Sequence, residues 1–289
     1  MPTLKEYNGK LARLRTTRKM TRTMKMVSTT KLRRAQEAYK RVEDFRRRLA
    51  SLLARVGAPG SGEPAQALLE NRAARRVLAV VITSDRGLCG GFNSGVNRAV
   101  AQWMAENRHR WERLQLSFCG RRGFLFFRDT ADILTNYEGL SARPVYGDVR
   151  RLAHNLQADF MAGAFDEVYL AYTATLAGAS ARPVIERLLP VTIPAVPEAE
   201  AGASADWLLE PGRPELLHVL LSKLVAVNLY TALLSSAVAE HRARMMAMDN
   251  STRNAENLID VCTLLRNRAR QAAITRELSE IISGAEALK

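Results

Sequence analysis

The chain is poor in cysteine and histidine and has no long uninterrupted apolar run. Its three cysteines (Cys89, Cys119 and Cys262) lie far apart in 289 residues, and no CxxC pair occurs. That count argues against a disulfide framework or a zinc site and fits a reducing compartment. No run of 18 apolar residues occurs, so no membrane-spanning segment is predicted. No secretory signal is visible. The Arg-rich, acid-poor start resembles a transit peptide in composition, but its apolar pattern continues to Val56, so it is read as a mature helix. Four histidines (His109, His154, His218 and His241) leave few candidate bases. The three tryptophans, Trp103, Trp111 and Trp207, are scattered and form no stacking platform. There is no internal repeat.

Glycine and proline are missing from two long spans, residues 10–56 and 215–283. As helices these would reach about 70 and 100 Å at 1.5 Å per residue, more than a compact domain needs. In the first span Leu4, Tyr7, Leu11 and Leu14 step by 3 and 4, and so do Ala35, Ala38, Val42, Phe45, Leu49, Leu52 and Val56. The two runs are out of phase, which predicts a seam shift near Thr16–Gln36. In the second span the series is Leu217, Leu220, Leu224, Val227, Thr231, Leu234 and Val238. It continues through His241, Met245, Met248, Thr252, Ala255, Ile259, Cys262, Arg266, Ala269 and Ala273. Steps of 3 and 4 over such lengths predict a coiled-coil seam. The spans lie at opposite ends of the chain, so the pairing is expected to be antiparallel.

Acidic residues are scarce at the amino end. Residues 1–57 carry 17 Lys plus Arg against 4 Asp plus Glu, whereas the rest carries 26 against 25. Nearly all of the net +14 therefore sits in the first fifth of the chain. Thr16–Gln36 alone holds seven cations and no acid, and it keeps apolar residues at Met20, Met24, Val27 and Leu32. Such asymmetry points to an acidic partner. A nucleic acid is one candidate, but no aromatic residue lies between Tyr7 and Tyr39 to stack on bases. Acidic protein surfaces around the helix would relieve its self-repulsion without sequence readout.

The middle of the chain changes character. Val77–Ser84 (VLAVVITS) reads as a strand buried on both faces. DRGLCGGFN then forms a Gly-rich turn, and SGVNRAVAQWMAEN a helix. Further strands are predicted at Leu114–Gly120, Glu167–Thr175 and Ala181–Val191, and a helix at Asp148–Ala162. The alternation predicts an α/β domain over residues 77–195, flanked by loops at GAPGSGEP and IPAVPEAEAGAS. The turn (Asp85, Arg86, Gly87, Cys89, Gly90, Gly91) is the most site-like motif. As a phosphate cradle it lacks both GxGxxG and a GK[ST] ending. As a nucleophile elbow around Cys89 it lacks a recognisable base. A tight strand-to-helix turn needing small residues explains it without chemistry. Asp148, Asp159, Asp166 and Glu167 show no spacing that demands acid–base work.

Three segments together resemble one known family. TRKMTRTMKMVSTTKLRRAQ, TSDRGLCGGFN and NRARQAAITRELSEIISGA, in that order and spacing, are similar to the γ subunit of F-type ATP synthases, and the resemblance covers essentially the whole chain. It implies α plus α/β architecture: a long antiparallel coiled coil of the terminal helices (residues 1–57 and 207–289) with a central Rossmann-like α/β domain. It implies a non-catalytic central rotor stalk without cofactor or metal, coupling proton-driven rotation of a c-subunit ring to ATP synthesis at catalytic β subunits. The implied partners are the α and β subunits (3:3:1), the ε subunit and the c ring, with no nucleic acid. The implied location is the cytoplasmic side of a bacterial inner membrane, peripherally bound. Carried over by motif, Met24 and Lys25 would lie near an acidic β-subunit loop. Arg244, Gln271 and Thr275 would touch the hexamer higher on the shaft. Glu277 and Glu280, on the same segment, would couple to the basic amino-terminal helix. Arg266 stands where the family more often has an aromatic residue, and Arg18 replaces a usual glutamine. The cysteine-bearing insert of chloroplast versions and the related cyanobacterial insert are absent, so thiol regulation of that type is not expected.

Overall fold

The computed structural model describes residues 3–56, 67–175, 181–193, 210 and 212–286. The predicted loops at GAPGSGEP and IPAVPEAEAGAS lie outside these, apart from Ile193. So do Trp207 and the outer ends of the predicted segments. The element order is α1 (Leu4–Val56), β1 (Arg76–Ile82), α2 (Phe92–Asn107), β2 (Arg113–Cys119), α3 (Arg121–Phe127), β3 (Asp132–Asn136), α4 (Tyr146–Met161), β4 (Glu167–Thr175), β5 (Ala181–Leu189) and α5 (Arg213–Glu286). The chain divides into two compact units. One holds the residues up to Thr29 with those from Arg244 onward, and the other holds Thr30–Ala243.

In the second unit five strands form one sheet in the order β3-β2-β1-β4-β5. β1 runs parallel to β2 and β4, β2 parallel to β3, and β5 antiparallel to β4. β1 is apolar on every residue after Arg76 because both its faces are covered. Its side chains alternate between two cores. Ala79 and Val81 join Val96, Val100, Phe118 and Phe127 under α2 and α3. Leu78, Val80 and Ile82 join Leu152 and Phe160 of α4, Leu49 and Leu53 of α1, and Leu221 and Leu229 of α5. Thus α2 and α3 cover one face, while α4 and the two long helices cover the other. α5 contains a window apolar enough by composition to cross a membrane, but 61% of that window is buried inside the protein. It is a core helix here, enclosed on all sides from Thr231 to Glu240.

Two elements of this unit differ from the sequence reading. α3 and β3 were not expected, being seven and five residues long and too short for a periodic signal. The predicted strands otherwise match to within about two residues, the ordinary scatter of element ends.

In the first unit α1 and α5 pair antiparallel. Lys25 meets Asp249, Thr21 meets Thr252, and Leu11 packs with Ile259 and Cys262. Every member of the predicted α5 seam, from Leu217 to Ala273, is buried or half-buried. The predicted phase shift in α1 is not there. Its buried residues Leu11, Thr21, Ser28, Leu32, Leu49, Leu53 and Val56 all fall on the same two positions of one heptad frame. The apparent shift came from polar seam members, Thr21, Lys25 and Ser28, which carry no apolar signal. It also came from Ala38, Phe45 and Leu52, which sit one residue beside the seam. Phe45 is 43% exposed and lies under the Lys223 ammonium at 5.5 Å. Met20 and Val27, counted as the apolar face of the opening stretch, are exposed.

Candidate functional site

The Gly-rich turn leaves the carboxyl end of β1, where open α/β sheets commonly place ligands. Here its polar groups are engaged in its own fold. Asn93 Oδ1 accepts the Ser84 N–H at 2.9 Å, and Asn93 Nδ2 lies 2.8 Å from Ser84 Oγ. Ser84 Oγ donates to the Arg86 carbonyl at 2.6 Å. Asp85 accepts from the Arg121 N–H at 3.1 Å and the Ser141 hydroxyl at 3.3 Å, which ties the turn to the start of α3. A Cβ on Gly87 would stand 3.0 Å from the Arg122 guanidinium. Gly90 takes φ +56, and so, unexpectedly, does a leucine: Leu88 has φ +64 with its side chain exposed. That is uncommon for a non-glycine residue.

Cys89 is 1% exposed. Its sulfur neighbours are Asn93 Nδ2 at 3.2 Å, Ser84 Oγ at 3.7 Å and the Arg86 carbonyl at 3.9 Å. None of these is a general base, so the geometry does not build a nucleophile elbow. Cys89 and Phe92 instead pack on Ala239 of α5. The turn thus anchors the sheet to the long helix, which accounts for its small residues.

Met24 and Lys25 lie in the first unit and are half-buried. The Lys25 ammonium bonds Asp249 at 2.6 Å, and Asp249 also takes Arg253 at 3.0 Å. The hydrogen bond from Lys25, with Arg253 beside it, holds the Asp249 carboxyl below its ordinary range. One turn away the Thr252 hydroxyl donates to Thr21 at 2.8 Å and lies 2.7 Å from the Met248 carbonyl. A polar layer therefore interrupts the apolar seam beside Met24. Such layers fix register between paired helices at some cost in stability.

Arg244 is half-buried. Gln271 and Thr275 are exposed, and the Thr275 hydroxyl donates to the Gln271 carbonyl at 3.0 Å, so the pair shares one helix face. Glu277 and Glu280 are also exposed. Among the described residues, the expected coupling of these two carboxylates to the basic amino-terminal helix is not made. Leu11, near the start of α1, already packs beside Ile259 and Cys262, so in an antiparallel pair α1 ends before α5 reaches them. Beyond Ala273 every described side chain of α5 is exposed, including Ile274, Leu278, Ile281 and Ile282 at 47–67%. Four large aliphatic side chains within nine residues, uncovered by any described residue, form a surface suited to a partner.

Sequence reasoning missed the serine pair Ser235–Ser236. The signal was available: two adjacent hydroxyls inside the apolar run YTALLSSAVA. Both are buried, at 2% and 3% exposure, and buried hydroxyls take partners.

Residues 3–288 match the family model described as ATP synthase. The chain is similar to the ATP synthase gamma chain of Anaeromyxobacter sp. (strain Fw109-5), 42% identical over 100% of both chains. It is 39% identical to that of Geobacter metallireducens, again over 100% of both. Among solved structures it resembles a chain of the Euglena gracilis mitochondrial ATP synthase OSCP/F1/c-ring assembly. The TM-score is 0.67 at 18% identity, covering 99% of this chain and 94% of that one. A chain of the Tetrahymena thermophila central stalk/c-ring structure matches with TM-score 0.58 at 23% identity, covering 80% and 98%. These likenesses show the same fold, terminal long helices with a central sheet. The comparisons give the nucleic-acid alternative no support.

Proposed function

The chain belongs to the ATP synthase gamma chain family as a non-catalytic subunit, and from that premise we propose how it works as the central rotor stalk. Proton-driven rotation of a c-subunit ring turns the stalk. Its asymmetric surface then biases the catalytic β subunits in turn, as a set of differential contacts shifts a conformational population. The observation that carries this reading is the full-length identity to bacterial gamma chains, 42% with no large unmatched segment on either side. The partners on this reading are three α and three β subunits per stalk, an ε subunit and the c ring. The complex would be held peripherally at the cytoplasmic side of a bacterial inner membrane.

The contact residues on this reading are Met24, Lys25, Arg244, Gln271, Thr275, Glu277 and Glu280. The uncovered end of α5, from Ile274 to Ile282, supports an apolar bearing. The surplus of cations on α1 supports contact with acidic loops. Exposed ion pairs are worth about 0–1 kcal/mol each, weak enough to be made and released as the stalk turns. Lys25 is already paired with Asp249 in this chain, so an acidic partner would meet it as a shared ion pair. The experiment is a tagged pull-down from source membranes with native mass spectrometry. A complex of three α, three β and one copy of this chain is expected. Recovery of the chain alone, or with nucleic acid, would overturn the reading.

A further inference from the structure

β4 runs past its neighbour. Its ladder with β1 ends at Ala171, yet the strand continues to Thr175. Residues 172–175 therefore have β5 on one edge and no strand on the other. A strand edge packed against a helix must find other partners for its backbone groups. Here they come from α5. Ser236 Oγ accepts the Thr173 N–H at 3.2 Å, and Ser235 Oγ accepts the Thr175 N–H at 2.8 Å. Ser235 Oγ also donates to the Thr173 carbonyl at 3.2 Å, and the Thr175 hydroxyl donates to the Ser235 carbonyl at 3.2 Å. The helix thus continues the sheet by hydroxyls where the next strand is missing.

We propose that Ser235 and Ser236 are the positioning residues through which torque passes between the α/β sheet and the long helix. The inference rests on the stalk reading above. Apolar packing between sheet and helix is non-directional and yields to sliding, whereas hydrogen bonds lose strength steeply with misalignment. Four such bonds on two adjacent residues resist displacement of β4 along and around α5. A further polar contact onto this helix from the α/β layer, Gln157 Nε2 to the Ser222 carbonyl at 3.3 Å, engages no side chain of α5.

The test uses the assembled synthase in membrane vesicles, carrying the unmodified chain, S235A/S236A or the control S222A. Proton pumping per ATP hydrolysed and hydrogen exchange of the Thr173 and Thr175 amides are both read. The double variant leaves two N–H donors without partners, that of buried Thr173 and that of half-buried Thr175, so their exchange is expected to rise about tenfold or more. The pumping-to-hydrolysis ratio is expected to fall at least about twofold as the sheet slips on the helix. S222A, which keeps its carbonyl, is expected to match the unmodified chain. Faster exchange with an unchanged ratio would reduce the serines to packing and overturn the torque role. Unchanged exchange would remove the hydrogen bonds themselves. If the double variant does not assemble, Ser235→Ala alone, which leaves Ser236 on Thr173, is read by the same ratio. Failure of the unmodified chain to enter the synthase would refute the stalk reading, and the torque role with it.

Discussion

Replacing Gly120 by alanine probes the seat of the Gly-rich turn. Gly120 follows β2 with φ +124, a backbone region nearly closed to residues with a Cβ. Occupying it costs about 1–3 kcal/mol. A Cβ there would also stand 2.1 Å from the Thr83 carbonyl oxygen and 2.9 Å from its hydroxyl. Both atoms are in use or next to groups in use. The Thr83 N–H donates to the Cys119 carbonyl at 3.0 Å, and Thr83 Oγ1 accepts the Gly123 N–H at 2.9 Å. Relief of the clash means moving the end of β1 and losing at least one buried bond, a further ~1–3 kcal/mol. The expected loss is therefore about 2–6 kcal/mol if the two costs add. Gly139→Ala supplies the comparison: φ is +78 but nothing lies within 4 Å of its Cβ, so strain alone predicts about 1 kcal/mol. Urea unfolding followed by tryptophan fluorescence reads the α/β layer, where Trp103 and Trp111 pack with ring centroids 4.8 Å apart and planes tilted by 51°. A Gly120→Ala loss no larger than that of Gly139→Ala would refute the reasoning.

Met24→Lys adds a cation beside the Lys25–Asp249–Arg253 cluster and should impair coupling; unchanged ATP-driven proton pumping would sink that expectation. Asp166 is buried, which disfavours its charge, but the N–H groups of Arg76 and Arg75 and the Arg76 guanidinium hold its carboxyl below the usual range. Its stabilising effect is then fully present above the unfolded pKa of about 3.9 and lost as pH falls through the lower folded value. The stability gap between wild type and Asp166→Asn should accordingly shrink below pH ~4, and a gap that widens there contradicts the assignment. All three cysteines are at most 2% exposed, and burial pushes the Cys119 thiol up to about 12. An aromatic disulfide reagent should therefore titrate no fast thiol in the native chain and all of them in denaturant, so prompt reaction in buffer would show the buried packing to be wrong.

Period and composition carry the information that belongs to one segment at a time. The seam of α5 was legible over 57 residues, because a helix repeats its buried face every 3 or 4 positions whatever it packs against. β1 was legible because a strand covered on both faces has no polar positions to spare. The need for small residues in DRGLCGGFN was legible too, as was the absence of a base near Cys89 in the sequence.

What the partner decides was not legible. The phase of α1 is continuous, but its middle is polar, and only the opposing Asp249 and Thr252 show that Thr21 and Lys25 belong to the seam. Glu277 and Glu280 were expected to meet α1, yet where α1 runs out opposite α5 is set by how the two helices register. The partners of Ser235 and Ser236 lie 60 to 63 residues away. No local pattern encodes that a strand outruns its neighbour and needs hydroxyls there. Segment-level propensity is written in the order of residues, whereas register, phase and the satisfaction of buried polar groups exist only once distant segments meet.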